Sequence, residues 1–116
     1  MSSMRPGWLG FAVLDAAGAQ AFTPARRETL ALRQSVIDAN PELQEREALK
    51  NIGLTTSMTD ALRRRGVPDL TSSVTAQLGT LTLKIAFDRW IATASTADFA
   101  PLARQVLGEV RAAAAQ

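Results

Sequence analysis

The sequence predicts an all-α protein, built as a single-domain bundle of four or five helices. Its 116 residues are 47% hydrophobic and 21% charged, a balance typical of a soluble globular domain with a modest core. Alanine and leucine are abundant, tyrosine is absent and β-branched residues are scattered, which favours helix over strand. Apolar residues also recur at helical spacing between recognisable helix starts and stops.

Residues 1–22 predict a short apolar helix that begins near Trp8. The stretch has one alternative, a secretory signal peptide, since Arg5 precedes an apolar run that is followed by small residues. That run, 8–14, is at the lower length limit for a signal and Gly10 interrupts it, so we favour a helix. No run approaches the about 20 apolar residues of a membrane-spanning helix, so we expect a cytoplasmic protein without a membrane partner.

Two helices with well-marked starts are predicted next, over residues 23–39 and 41–65. Thr23 is placed to cap the first of them, with Pro24 at the first helical position, a favoured arrangement. Asn40 is placed to cap the second. It also ends the helix before it, because a residue that precedes proline avoids the helical region.

Helix 41–65 carries opposite charges at its two ends. Glutamates crowd its first two turns, and the arginines 63–65 stand just before Gly66, which is placed to end it. The positive start and negative end of a helix dipole favour this distribution. We therefore assign the glutamates to the dipole in preference to a metal site. Likewise, we assign the arginines to the helix end in preference to contact with nucleic acid.

The last two predicted helices, 71–93 and 98–114, carry more apolar surface than a domain of this size readily buries. The first is apolar on two sides, and the second places apolar residues at i, i+3, i+4 and i+7. We expect both to pack against their counterparts in a homodimer, as an intermolecular four-helix bundle. The alternative is a monomeric bundle with one of these helices at its centre. The predicted dimer interface comprises Val74, Gln77, Leu78, Leu81, Lys84, Ile85, Leu102, Val106 and Val110.

The composition leaves few routes to catalysis. The chain has no cysteine and no histidine, which excludes disulfides, zinc fingers, thiol nucleophiles and the commonest general base. It has neither a glycine-rich phosphate loop nor a G-x-S-x-G motif. Its formal net charge of +2 is a weak electrostatic signal for nucleic acid. We expect no enzyme activity, no cofactor and no bound metal.

The middle of helix 41–65 is rich in hydroxyl groups, where a purely structural helix favours alanine, leucine or glutamate. These residues, Thr55 to Ser57 and Thr59, lie on or beside its apolar face. Two interpretations remain open. The hydroxyls either face solvent, or they form a pocket wall together with Met58.

Several features follow one another in an order that a known family shares. The segment NPEL (40–43) opens a long helix, and RG (65–66) closes it. A helix rich in small residues then ends in FDRWI (87–91), before a final amphipathic helix of leucine and valine. Over residues 26–111, this order and spacing resembles the C-terminal regulatory domain of TetR-type bacterial transcriptional repressors.

The resemblance implies an all-α domain that binds a small, often apolar effector inside its bundle and dimerises through its last two helices. Members of the family carry an N-terminal three-helix DNA-binding domain, whereas residues 1–25 have no helix-turn-helix pattern. The stretch 59–79 superficially resembles one, but its second helix is apolar where base edges require polar side chains. DNA is therefore expected as a partner only where a helix-turn-helix domain is supplied upstream or by another chain.

The resemblance also implies an effector pocket between helices 41–65 and 71–93. The candidate pocket residues come from both helices, and no cofactor is expected. Trp90 also lies near this region, but we favour a place in the core for it. The alternative function is a helical interaction protein without its own ligand, which dimerises with itself or with full-length regulators. The predicted pocket residues are Thr55, Met58, Thr59, Leu62, Leu83 and Phe87, with Trp8 and Phe11 as a lid.

Overall fold

The computed structural model describes residues 22–93 and 98–116 as four α-helices that follow one 3-10 turn. The turn is Pro24–Arg26, and the helices are α1 (Arg27–Asp38), α2 (Pro41–Arg64), α3 (Asp69–Ala92) and α4 (Phe99–Ala114). No strand occurs in the described ranges, so the predicted all-α bundle is confirmed. The helix predicted within residues 1–22 lies outside the described residues, apart from Phe22.

Helix α3 lies at the centre of the bundle. It packs against α1, α2 and α4, and α1 also packs against α2. The largest buried side chains lie where α3 meets α4: Trp90, Phe99 and Val106 are each at most 1% exposed. Although α2 and α3 have 24 residues each, no helix among the described residues is both long and apolar enough to cross a membrane.

Four aromatic rings join the end of α3, the start of α4 and Phe22, which lies two residues before the 3-10 turn. The ring centroid of Phe22 lies 4.6 Å from that of Phe99 and 5.3 Å from that of Phe87. Trp90 meets Phe99 edge-on, with centroids 5.6 Å apart. Tilted and edge-on contacts of this kind are the arrangements that aromatic pairs prefer. The four rings therefore hold three separate parts of the chain in one core.

Arg27, at the start of α1, caps the C-terminal end of α3. Its Nε donates a hydrogen bond to the carbonyl oxygen of Trp90 at 3.0 Å, and its Nη2 donates to that of Ile91 at 3.4 Å. The last carbonyl groups of a helix have no partner within the helix and carry partial negative charge. The guanidinium of Arg27 supplies hydrogen-bond donors to these carbonyl groups and a positive charge beside their partial negative charge. It thereby fixes α1 against α3.

The junction between α1 and α2 is held by side-chain caps on both helices. Asn40 has an extended backbone, and its Oδ1 accepts from the backbone N–H groups of Glu42 at 3.0 Å and Leu43 at 3.3 Å. The side chain of Gln44 donates to the carbonyl oxygen of Asp38, at the end of α1, at 2.7 Å. The first contacts satisfy free donors at the start of α2, and the second satisfies a free acceptor at the end of α1. The junction is thus an architectural element.

Helix α2 ends in a Schellman motif built around Gly66. The backbone N–H of Gly66 donates to the carbonyl of Arg63 at 2.9 Å, and that of Val67 donates to the carbonyl of Leu62 at 3.1 Å. This pair of bonds requires a left-handed residue, and Gly66 has a φ of +90°. The turn directs the chain from α2 into α3.

Two glycine-to-alanine substitutions are expected to change stability in opposite directions. Gly66→Ala will lower the free energy of unfolding by about 1–2 kcal/mol, because an alanine side chain is strained at positive φ. Gly53→Ala will raise it by about 0.5–1 kcal/mol, because Gly53 lies inside α2 and an added Cβ meets no atom within 4 Å. Urea unfolding followed by circular dichroism measures both, and effects of the same sign would contradict this description of the α2 end.

An ion pair joins α3 to α4 on the outer surface. Nη1 and Nη2 of Arg89 donate to the two carboxylate oxygens of Glu109 at 2.8 and 3.0 Å. The hydrogen bonds from Arg89 are the main reason that the pKa of Glu109 lies below its ordinary value. Because both side chains are nearly half exposed, solvent screens this pair.

The acid sensitivity of the fold is expected to fall when Glu109 is neutralised. A carboxylate with a depressed folded-state pKa stabilises the fold above its unfolded-state pKa, and this contribution is lost as the pH falls through the folded-state value. Glu109→Gln will therefore lower stability slightly at neutral pH and flatten the loss of stability below the ordinary glutamate range. Chemical unfolding across acid pH tests this, with the exposed Glu45→Gln on α2 as the charge-matched control; identical curves for the two variants would refute it.

Candidate functional site

An open groove of about 570 Å³ runs along the surface between α2 and α3. Helix α2 supplies most of its wall, and the first half of α3 supplies the rest. Four of the α2 residues recur at i, i+4 spacing along one helix face, a polar pattern visible in the sequence. The sequence prediction included only Thr55 and Thr59 from this groove as pocket residues. The lining residues are Asn51, Ile52, Thr55, Thr56, Thr59, Asp60, Arg63, Ser73 and Gln77.

The threonine hydroxyls of the α2 wall are bonded within their own helix. Thr56 Oγ1 donates to the carbonyl oxygen of Ile52 at 3.0 Å, and Thr59 Oγ1 donates to that of Thr55 at 2.8 Å. A hydroxyl has a single hydrogen, so these two groups offer only acceptor lone pairs to a bound molecule. A ligand that bonds to these two hydroxyls would therefore have to supply the donors.

A hydroxyl pair connects the two walls of the groove. The Oγ1 atoms of Thr55 and Thr80 lie 2.8 Å apart. Each also lies within 3.0 Å of a carbonyl oxygen in its own helix, that of Asn51 or Ala76. Since each hydroxyl has one hydrogen, one of them donates within its helix and the other donates across to the facing helix. This hydrogen bond fixes α2 against α3 beneath the groove.

The contribution of this pair is expected to appear as coupling between two substitutions. Thr55→Val and Thr80→Val each remove one hydroxyl while keeping the β-branched shape, and the partner hydroxyl then loses its cross-helix bond. The double variant should therefore lose less stability than the sum of the two single variants, by about 0.5–1.5 kcal/mol. Urea unfolding of the four proteins measures the coupling, and strictly additive losses would show that the pair contributes nothing.

The groove ends in a charged cluster where α2 stops and α3 begins. Nε of Arg63 donates to a carboxylate oxygen of Asp69 at 3.0 Å, and its Nη1 lies 3.8 Å from a carboxylate oxygen of Asp60. These side chains are at least half exposed, so the ion pairs add little to stability. Two carboxylates against one guanidinium give these three side chains a formal charge of −1, and two more cations, Arg64 and Arg65, follow directly in the sequence.

Met58 and Leu62, which the sequence predicted as pocket residues, lie in the core beneath the groove. They are 8% and 4% exposed. The two helices approach each other closely here, because a Cβ added at Gly79 would lie only 3.0 Å from the terminal methyl carbon of Met58. Throughout the described ranges, every buried side-chain nitrogen and oxygen has a hydrogen-bond partner. The interior around Met58 is therefore closed by its own packing.

The remaining predicted pocket residues are separated from the groove. Leu83 and Phe87 are half-buried and pack against the core cluster that contains Trp90, toward the C-terminal end of α3. Trp90 itself is fully buried there, as favoured from the sequence. Trp8 and Phe11, predicted as a lid, lie outside the described residues. Of the predicted set, the structure brings Thr55 and Thr59 together in the groove.

The outward side of α3 carries an apolar stripe, defined here as Leu70, Val74, Leu78, Leu81 and Ile85. Leu70 is 77% exposed, Val74 is 47% exposed and Leu81 is 45% exposed, while the other two are half-buried. Gln77 and Lys84, also predicted at the dimer interface, are exposed beside the stripe. Leu70 was missed because the predicted helix began at residue 71, whereas α3 begins at Asp69.

The apolar face of α4 is covered within the same chain. Val106 is fully buried and Val110 is 9% exposed, and both belong to the core cluster, against which the half-buried Leu102 packs. The sequence predicted that these three residues meet a second copy. Periodicity identified the apolar face correctly, but α3 of the same chain covers it. Of the two helices predicted to form the dimer interface, α3 is therefore the one whose large apolar side chains stay exposed.

The groove offers acceptor oxygens, the apolar side chain of Ile52 and a charged end, a combination suited to reversible binding. In the described ranges, no three histidine, cysteine, aspartate or glutamate side chains lie close enough together to hold a metal ion. Gln77 lines the groove and also borders the apolar stripe, since it lies between Val74 and Leu81 along α3. The groove and the stripe are thus adjacent surfaces that share α3.

The chain matches no protein-family model, and no curated protein matches it. Its function is therefore argued from the groove and the apolar stripe.

Proposed function

We propose that this chain is a dimerisation and small-molecule-sensing module, of the kind that TetR-type repressors carry as their regulatory domain. The observation that carries the proposal is the apolar stripe on α3. Leu70, Val74 and Leu81 are each at least 45% exposed on one side of the central helix. Contiguous apolar surface of this kind is typical of protein interfaces, and a second copy of the chain is the partner that is always present.

The groove is the proposed binding site for a small molecule. It runs alongside the stripe, and its acceptor-rich α2 wall suits a ligand that combines hydrogen-bond donors with an apolar part. Ile52, which is 63% exposed at the groove, supplies an apolar contact. The effector is therefore expected to be amphiphilic and to bind at the surface between α2 and α3, instead of deep in the bundle.

The shared position of Gln77 provides a means of communication between the two surfaces. A molecule that contacts Gln77 in the groove also lies beside the proposed dimer interface. If the molecule binds the dimer and the monomer with different affinities, its binding shifts the monomer–dimer equilibrium by linkage. A regulatory module needs such a coupling. DNA binding would in turn require a helix-turn-helix domain supplied upstream or by a partner chain.

A titration of the isotope-labelled chain with small amphiphilic amines and alcohols tests the sensing role. We expect the backbone amide signals of the groove residues to shift, and the dimerisation constant to change when the ligand is bound. Ile52→Ser will weaken binding. Leu49→Ser, which removes a similarly exposed apolar side chain of α2 outside the groove lining, will not. If no compound shifts the groove signals, sensing at this site is contradicted.

The alternative is a helical interaction protein without a ligand of its own. One observation favours it: the hydroxyl hydrogens of Thr56 and Thr59 are already bonded to backbone carbonyls. Such a protein would dimerise through the same stripe but show no response to small molecules in the titration. The two functions are therefore separated by the groove signals. The first requires self-association, whereas the second requires association with a second copy or with a full-length regulator.

A further inference from the structure

Four of the five residues of the apolar stripe have a spacing that is the same in both directions along α3. Leu70, Val74, Leu81 and Ile85 are separated by four, seven and four residues. The centre of this pattern falls between Gln77 and Leu78. When two helices run antiparallel about that point, Leu70 lies opposite the partner's Ile85, and Val74 lies opposite the partner's Leu81. Each of these four apolar residues then meets an apolar residue, and Leu78 lies opposite the partner's Gln77.

We propose that two copies of the chain pair through antiparallel α3 helices, with the twofold axis between Gln77 and Leu78. This inference rests on the self-association proposed above and specifies its geometry. The two end members of the stripe, Leu70 and Ile85, differ in exposure, since Leu70 is 77% exposed and Ile85 is half-buried. Antiparallel pairing places the projecting side chain of one copy over the recessed side chain of the other.

The charges beside the stripe also favour the antiparallel arrangement. A parallel pair would place Lys84 opposite the partner's Lys84, and Asp88 opposite the partner's Asp88. Like charges in register oppose association. In the antiparallel pair, Lys84 lies opposite the partner's Thr71, close to the partner's Asp69. Asp69 belongs to the charged cluster at the groove end.

The geometry has a consequence for the groove. A twofold axis perpendicular to two antiparallel helices brings the same side of each helix together. The groove sides of the two α3 helices therefore lie next to each other, on the same face of the dimer. Lys84 lies on this side, four residues after Thr80 and seven after Gln77. Lys84 pairs with Asp88 of its own chain at 3.2 Å, so the partner copy brings this ion pair near the charged end of the groove.

Cysteine cross-linking tests the geometry directly, because the chain has no native cysteine. The variant with both Val74→Cys and Leu81→Cys is expected to form a covalent dimer on oxidation, which reductant reverses. Neither single variant will do so alone, but a mixture of the two will. In the antiparallel pair, position 81 lies about 10 Å along the axis from the partner's position 81. This exceeds the distance of about 7 Å between Cα atoms that a disulfide spans.

The control is Leu32→Cys, at a position on α1 that is 64% exposed and lies outside the stripe, and this variant should remain uncross-linked. Covalent dimer from Leu81→Cys alone, at the yield of the double variant, would overturn the proposal in favour of parallel pairing. A dimeric mass without cross-linking of the double variant would also overturn it, while leaving the dimerisation role intact. A monomeric mass would remove the dimerisation role itself. Circular dichroism of each variant confirms that the helices are retained.

Discussion

Replacing Trp90 with alanine will lower the free energy of unfolding by about 3–5 kcal/mol, the range for large-to-small substitutions of buried aromatic residues. The indole is fully buried and contacts the rings of Phe22, Phe87 and Phe99. Its removal leaves a cavity where α3, α4 and Phe22 meet. A loss of this size is a large part of the stability of a small domain. Urea unfolding followed by helical circular dichroism measures it.

The matched control for Trp90→Ala is Leu70→Ala on the same helix. Leu70 is 77% exposed, so its truncation should change the stability of the single subunit by less than about 0.5 kcal/mol. The comparison must be made at a concentration where the chain is monomeric. Equal losses for the two variants would show that the aromatic cluster is not the centre of the core.

Replacing Leu81 with lysine will weaken self-association at least about 30-fold, equivalent to about 2 kcal/mol for the loss of a central interface residue. Leu81 stands near the middle of the apolar stripe, and a lysine there places a charge in the apolar contact. Because the side chain is 45% exposed in the single chain, the fold of the subunit should be retained. Analytical ultracentrifugation measures association, and circular dichroism measures the fold.

Leu32→Lys is the control for this substitution. Leu32 is an exposed leucine on α1, which packs on a different side of α3 from the stripe, and the same change of charge there should leave association unaltered. If Leu32→Lys and Leu81→Lys weaken association equally, the effect is one of net charge and the stripe is not the interface. If Leu81→Lys has no effect on a chain that does associate, another surface is responsible.

The helix ends were predictable where a side chain acts locally. Asn40 caps α2 as its position before Pro41 indicated, and Gly66 ends that helix with positive φ. The start of α3 was placed two residues late, because Pro68 and Asp69 were taken as a loop. In the structure Pro68 is itself the N-cap position, and its carbonyl oxygen accepts from the N–H of Ser72 at 2.8 Å. Proline is compatible with this position, so the loop signal was misleading.

Contacts between distant parts of the chain were not predictable. Arg27 caps α3 by donating to the carbonyl oxygens of Trp90 and Ile91, which lie 63 and 64 positions further along the chain. Nothing in the sequence near Arg27 indicates this contact. Met58 was predicted as a pocket residue because hydroxyl residues surround it. It lies in the core instead, since Gly79 allows α2 and α3 to approach closely. Periodicity states which face of a helix is apolar, but only packing determines what covers it.

The same limit explains the division within the predicted dimer interface. Val74 and Leu81 on α3 and Val106 on α4 share the apolar spacing of amphipathic helices. The structure leaves the first two exposed and buries the third against α3. Surplus apolar surface was a correct inference for α3, whereas the need to cover α4 is met within one chain.

The central claim is that the apolar stripe on α3 makes this chain a dimer. Sedimentation equilibrium of the unmodified chain across the micromolar range tests it most directly. We expect a mass that rises with concentration from the 12.4 kDa of one chain toward twice that value, and a Leu81→Lys variant that remains at the single-chain mass. A constant mass of 12.4 kDa at every concentration would contradict the claim.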